Sequence, residues 1–541
     1  MILSKRPERK GAVLITVMVV IVVLLLIGYQ YLNLMLAEGN ASIVSGRLAQ
    51  ARHLADSGVH FANFVLAFPQ TQNLSDSADS YRAWYGNIYD NSDIFHYRPV
   101  NGPNGVKGYF SIVSPRDPLD TSNNTGYRFG VEDEGGKINL NAIRQLIKKD
   151  TTGSVKKFIT TMIQSIPNID PDVATAVINW TQEGGTPDSG ESAYYSSLGY
   201  QSKAGPYDST DELLMVKGWT PKMLYGNDKN RNGKLDPDED DGSGQVDLGY
   251  QRYFTVFSRE LNVDSTGAPR INLANKTVAD LKTQLDAVFT PEITSFILLA
   301  CASSNGPVSP IQLIKDVSDP RNPPPPLPQG FSYVNNTLTV TDITKVQSKL
   351  DFKKTNITLW DFINNGIAFQ VPVRGRPVPQ PIYSPIKSTM DKDTLRTTLT
   401  LLFDKCSTTS DFEIPARINI NTCPADVLTA MGITETVVES LLQYRPTPDM
   451  DPSLIPYYKT PAWLVTEAGV DINILKQFAN YITTYSQVYR FQVVGYYEFR
   501  GPQVRLEVVV DANNGRPRIL YWRDLTDLGK GYNFSANRGG P

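Results

Sequence analysis

Asp228, Asn230, Asn232, Asp236 and Glu239 occupy positions one, three, five, nine and twelve of a twelve-residue stretch, with Gly233 at the sixth. A hard divalent cation such as Ca2+ takes about six to eight oxygen ligands, and this spacing wraps a chain around one. The Lys234 carbonyl falls at position seven, and Glu239 stands where a bidentate carboxylate closes such loops. The sequence therefore predicts a Ca2+ site over residues 228–239, with an acidic solvated turn as the alternative. Asp240-Asp241-Gly242-Ser243-Gly244 follows at once and is turn material, so no helix is expected to leave the loop. That favours a structural staple over a switch, since a switch needs two helices to reorient. Glu183, Asp188 and Glu191 show no comparable pattern, and no second metal site is expected from them.

Little else in the chain is equipped for chemistry. There are 3 histidines, two of them (His53 and His60) in one helical stretch, which disfavours a histidine-based catalytic or zinc site. No nucleophile elbow, phosphate loop or dinucleotide fingerprint is present, so an enzyme is not expected and no catalytic residue is assigned. Cys301, Cys406 and Cys423 are odd in number and widely spaced; either Cys406 pairs with Cys423 or all are buried thiols. Charge is nearly balanced, 52 Lys+Arg against 55 Asp+Glu, which argues against a polyanion-binding surface over the whole chain.

The elements around the loop begin at a basic N-terminus. Lys5, Arg6, Arg9 and Lys10 precede Ala12–Tyr29, an apolar run of 18 residues interrupted only by Thr16 and Gly28. At about 1.5 Å per residue the run spans about 27 Å, close to a bilayer's hydrocarbon thickness. The cations should keep the N-terminus in the cytoplasm and send the rest of the chain across. Beyond Tyr29 the pattern becomes one-sided, with Val44, Leu48, Ala51, Ala55, Val59, Ala62 and Leu66 at helical spacing and Arg47, Gln50, His53, Asp56 and Asn63 opposite. A single helix over residues 12–67, its first part (about 12–34) in the membrane, is expected, and Pro69 blocks continuation.

Alternating strand patterns flank a long helical region. Residues 108–113 and 127–131 precede it; residues 489–496, 504–510 and 518–522 follow it, reading as an antiparallel meander. A basic–Ile–Asn–apolar motif occurs three times between them, at Lys137-Ile138-Asn139-Leu140, Arg270-Ile271-Asn272-Leu273 and Arg417-Ile418-Asn419-Ile420. The third leads through Met431-Gly432-Ile433-Thr434 into a second helix pattern, which resembles a helix-hairpin-helix unit. A helix, glycine and strand pattern recurs from Asp211 to Ser258 and from Ala462 to Ser486, implying two related helical modules. Proline-rich stretches at Pro323–Pro328 and Val371–Pro385 read as extended linkers. The tail after Gly529 is expected to be disordered. The fold class expected is α+β, a long N-terminal helix on a small antiparallel sheet with a large, mainly helical insertion.

Lys10-Gly11 followed at once by Ala12-Val13-Leu14-Ile15 resembles the leader of type IV pilins and pseudopilins. The resemblance implies cleavage by a prepilin peptidase between Gly11 and Ala12, with the apolar segment kept. It departs from the family at the fifth mature position, where a glutamate is usual and this chain has Thr16. Lack of that acid, together with Asp133-Glu134-Gly135-Gly136-Lys137-Ile138-Asn139-Leu140-Asn141 and Val177-Ile178-Asn179-Trp180, resembles the K subunit of type II secretion systems (GspK). A second departure is Thr181-Gln182-Glu183, where that family usually has aspartates after the tryptophan.

On this reading residues 1–11 are the leader, 12–67 the helix and 68–131 the first part of the head. Residues 132–320 are a first helical module, 321–390 a proline-rich linker and 391–486 a second module. Residues 487–528 complete the head, and 529–541 are the tail. The resemblance implies a non-catalytic minor pseudopilin in the inner membrane, its bulk in the periplasm at the tip of the pseudopilus. Its implied partners are other minor pseudopilins of the I and J type, with no nucleic acid and no small-molecule substrate. A DNA-uptake role is disfavoured because Met431-Gly432-Ile433-Thr434-Glu435 places one glycine and an acid where phosphate-binding hairpins carry glycines and cations. A minor pilin of a type IV pilus is the nearer alternative.

Overall fold

Lys10–Ala67 form one continuous helix, α1, of 58 residues. In this computed structural model the described residues are 10–67, 88–102, 107–117, 126–182, 189–273, 277–302, 307–308, 330–334, 337–342, 345, 357–373, 376–447, 450, 452–497, 501–532 and 534. From Val13 to Gln50 every side chain of α1 is exposed, and burial begins at Ala51. The predicted stripe is thus buried only in its lower part: Ala51, Ala55, Val59, Ala62 and Leu66 are buried, while Val44 and Leu48 remain exposed.

The lower half of α1 packs on an antiparallel sheet of β1 (Arg98–Asn101), β2 (Lys107–Pro115), β3 (Tyr127–Arg128), β4 (Glu132–Asp133), β5 (Val488–Tyr497), β6 (Val504–Asp511) and β7 (Arg518–Asp524). The main order is β1-β2-β5-β6-β7, with β3 on β2 and β4 on β5. β2 joins β5 in the register Val113↔Gln492 to Gly108↔Tyr497. Small residues set the helix-to-sheet distance. A Cβ on Gly495 would lie 2.3 Å from the Ala51 carbonyl oxygen, and one on Gly58 would lie 2.4 Å from Val493 Cγ1. The core between α1 and the sheet includes Phe110, Ile112, Phe491, Val493, Leu506 and Val508.

The opposite face of the sheet is also covered. Tyr109, Val113, Val494 and Tyr496 pack there with Tyr532 and Phe534. This corrects the expectation of a disordered tail: as far as Phe534 it supplies two aromatic side chains, each no more than 5% exposed. Aromatic residues bury large areas, and those two outweigh the glycine and charge around them.

Between β4 and β5 lies the helical insertion, which closes on itself three times. The strand Ile138–Asn139 pairs in parallel with Phe254–Thr255, Ile271–Asn272 with Cys406–Ser407, and Ile418–Asn419 with Ile482–Thr483. Each Ile-Asn motif is therefore the opening half of a two-residue seam, and there are three loops where two modules are expected. Residues 271–302 belong with 357–407 in the middle loop, not with the first. A second difference follows: Trp360, Phe362, Ile363 and Ile386 are buried in the insertion's hydrophobic core, so this part of the expected linker is core. The proline-rich stretch after it is a hairpin, Gly366–Val373 paired with Arg376–Tyr383. Pro377, Pro379 and Pro381 lie two residues apart on its edge strand, so their missing N–H groups fall on one side and leave the other free to pair. Residues 309–329, with Pro323–Pro328, lie outside the described residues.

Cys301, Cys406 and Cys423 are buried free thiols, so Cys406 and Cys423 do not pair.

Candidate functional site

The 228–239 loop follows a short helix, Pro221–Tyr225, whose Thr220 side chain accepts the Met223 N–H. Residues 240–249 after it are bends and irregular chain with no helix. The loop is wound on its own carboxylates. Asp228 accepts the N–H groups of Asn232 at 3.0 Å and Gly233 at 2.8 Å, and Glu239 accepts those of Asn230 at 3.0 Å and Asp236 at 3.3 Å. The amide nitrogens of Asn230 and Asn232 both donate to Oδ2 of Asp236, at 2.6 and 2.8 Å. The side chains of positions three, five and nine thus already meet at one point. Gly233 has φ +74°, and a Cβ there would lie 2.6 Å from the Gly126 carbonyl oxygen, so the sixth position needs glycine twice over.

Asp228 and Glu239 are both buried, at 1% and 4% exposure. Burial pushes the Asp228 acid up to about 6, aided by the neighbouring Glu239 and opposed by the two N–H donors. The residue types are a donor set that suits a hard cation, but here the Asn230 and Asn232 amides turn nitrogen toward Asp236 while their oxygens accept the N–H groups of Asn232 and Lys234, so ligation would require both amides to rotate. Among the described residues no three His, Cys, Asp or Glu side chains form a metal cluster, so the set depends on Asn230, Asn232 and the Lys234 carbonyl as well as the acids. Of the weaker acidic group, Glu183 and Asp188 lie outside the described residues, and Glu191 is bonded by Asn179 at 3.0 Å.

What the sequence does not signal is where the loop sits. It is seated on the sheet: the Arg231 carbonyl accepts from Gln492 Nε2 (2.7 Å) on β5 and from Arg505 Nη2 (3.0 Å) on β6. Arg505 is fully buried and also donates to Gln492 Oε1 at 2.9 Å. The tail closes the other side, with Asn232 Nδ2 donating to the Gly531 carbonyl at 2.8 Å and the Tyr532 hydroxyl bonding Gln492 at 3.0 Å. The Arg231 guanidinium stacks 4.1 Å over Tyr225. One turn thus ties together insertion, sheet and tail.

A second polar node lies where the chain enters the insertion. Asp133 Oδ2 accepts from Asn419 Nδ2 and Thr422 Oγ1, both at 2.7 Å, joining the first loop's entrance to the third loop. Glu134, fully buried, accepts from Arg490 Nε at 2.7 Å and Lys137 Nζ at 3.2 Å, and is bonded by Thr255. Burial alone would raise the Glu134 acid, but Arg490 and Lys137 overcome this and hold it down to about 2. Buried charges persist only when paired in this way.

The remaining predicted positions are on α1. Gly11 and Ala12 lie in its first turn, and Thr16 is on its exposed apolar part. The helix over Val13–Ala67 contains an 18-residue window of mean hydropathy 2.8, none of it buried, long and apolar enough to cross a membrane.

No family model and no curated protein matches the sequence. Among solved structures the chain is similar to one from the GspK-GspI-GspJ complex of the enterotoxigenic Escherichia coli type 2 secretion system. The identity is 10%, the TM-score 0.37, and the match covers 90% of this chain and 99% of that one.

Proposed function

We propose that this chain is a minor pseudopilin of the GspK kind, which assembles rather than catalyses. The observation that carries the reading is the division of α1 into an exposed apolar half and a half buried on the sheet. An apolar rod of that length belongs in lipid or against other apolar helices. Val44, Leu48 and Phe64, exposed below the membrane part, extend the surface on which I- and J-type neighbours would pack. After removal of residues 1–11 by prepilin peptidase, the subunit would stand at the tip of the pseudopilus, the insertion blocking addition above it. Thr16 supports this place, because a subunit with none above it has no terminal amine for a buried acid to meet.

The 228–239 loop would hold Ca2+ as a staple between insertion and sheet, through Asp228, Asn230, Asn232, Lys234, Asp236 and Glu239. The bound ion would supply positive charge to two buried acids and fix the loop on β5 and β6.

Intact-mass and N-terminal analysis of the mature protein extracted from membranes tests the anchor, with Ala12 as the expected first residue. An intact Met1 or a cut after Tyr29 would overturn it. Co-purification with I- and J-type pseudopilins, and loss of protein export with pili retained when the gene is deleted, separates the secretion role from a pilus role. Chelation should lower the melting temperature of the detergent-solubilised chain, and no change with EGTA would reject a structural Ca2+.

A further inference from the structure

A cavity of about 690 Å³ lies where the three loops of the insertion meet beside the head. Small-molecule sites typically occupy about 300–1,000 Å³, with an apolar lining and a few fixed polar groups. Here Trp360, Phe403 and Tyr485 supply aromatic lining, the first two with ring centroids 4.4 Å apart. The middle-loop seam contributes Arg270 and the third loop contributes Lys459.

The charges around the cavity are unequally matched. Glu260 is taken by Arg417 in a forked pair. Asp264 and Asp404 are both within reach of Lys405, at 2.7 and 3.3 Å, and Asp404 also accepts from Ser265 N and Oγ at 2.7 and 2.8 Å. Asp411 lies 3.0 Å from Lys149, and Arg259 serves both Glu413 and Asp511. Among the described residues this leaves two lining cations outside any ion pair. Arg270 donates only Nε–H, to the Asp404 carbonyl at 3.1 Å, and its two terminal nitrogens make no bond. Lys459 Nζ is buried with no hydrogen-bond partner, resting 5.3 Å from the centre of the Tyr485 ring. Glu260, Asp264 and Asp404 lie near the half-buried Arg270, and Asp404 near Lys459, but none of them makes an ion pair with either cation. A contacting oxyanion would supply the partner that these more distant acids do not. A guanidinium fork matches the two oxygens of a carboxylate or phosphate.

We propose that this cavity binds a small organic anion, with its oxyanion on Arg270 and Lys459 and its apolar body against Trp360, Phe403 and Tyr485. The site is independent of the pseudopilin reading and of the calcium loop, and no sequence motif announces it. Its cations come from the Arg270-Ile-Asn motif and from Lys459, which fall together only after folding.

The test is calorimetric titration of the detergent-solubilised full chain with benzoate and, separately, phenyl phosphate, using benzyl alcohol as the neutral analogue. Saturable binding of at least one anion and none of the alcohol is expected, the preferred anion telling carboxylate from phosphate. Arg270→Gln and Lys459→Met should each weaken it at least tenfold. Lys459→Met breaks no hydrogen bond, so its melting temperature should stay at or above that of the wild type. Absence of saturable binding by either anion, equal binding of benzyl alcohol, or unchanged affinity in both variants would overturn the proposal.

Discussion

The head sheet and the insertion seams solve the same problem, joining segments far apart in the chain, by opposite means. In the head, β2 and β5 pair over six residues, from Val113↔Gln492 to Gly108↔Tyr497, and α1 lies against them through small residues. In the insertion each seam has two residues, and asparagine side chains complete what the ladder lacks. Asn141 Nδ2 reaches the carbonyls of Tyr207 and Val256 at 3.0 and 3.4 Å; Asn421 Nδ2 reaches those of Tyr458 and Thr484 at 2.8 and 2.9 Å. The contact of α1 with the head sheet therefore depends on side-chain volume, and the seams of the insertion depend on satisfied polar groups.

The largest expected effect comes from adding volume in the head. Gly495→Val should cost about 3 kcal/mol or more, because its Cβ would meet backbone atoms of Ala51 and Ala55 that cannot move without shifting α1. Hydrogen exchange should show α1 and the sheet losing protection while the insertion keeps it; equal loss in both would erase the contrast.

A smaller effect is expected at the seams. Asn141→Ala removes two donated bonds and one accepted from Tyr207 N at 2.8 Å, about 2–3 kcal/mol in all. Asn421→Ala removes two, with an Oδ1 that already lacks a partner, about 1–2 kcal/mol. Denaturant melts of the two variants decide the order, and a reversed order would show that the seams are not equivalent units.

The smallest is electrostatic. Glu134 is held down to about 2, so its contribution is fully present above its ordinary value near 4.5 and lost as pH falls toward about 2. Between pH 7 and pH 4 the wild type should lose about 1 kcal/mol more stability than Glu134→Gln. Parallel pH profiles for the two proteins would remove Glu134 from the account.

Legibility followed the range of the signal. The apolar rod, the sheet strands and the 228–239 spacing are local patterns, readable because periodicity and ligand order are properties of adjacent residues. The Ile-Asn motifs were visible as repeats, but their role was not, since each partner strand lies 64 to 135 residues further on. The middle loop was hidden for that reason: Cys406–Ser407 carries no glycine-and-strand signature like the other two closing strands. Pro377, Pro379 and Pro381 suggested a linker, because proline removes ladder donors and only an edge position excuses that. The seat of the candidate loop was the least legible part. Gln492 and Arg505 alternate with apolar neighbours in strands, and nothing in that pattern says that both reach the Arg231 carbonyl.

One feature of the head bears on how such a protein can vary. The chain leaves the sheet at Asp133 and returns at Tyr489, and these two residues face each other across β4 and β5. The insertion thus enters and leaves the head at neighbouring points, and the seated 228–239 loop, Arg259 on Asp511 and Asp211 on Arg523 fasten it to the sheet a second time. A change of size inside the insertion leaves the rod and its cradle undisturbed only where these fastenings are kept, so the tolerant positions are the outer turns farthest from the sheet.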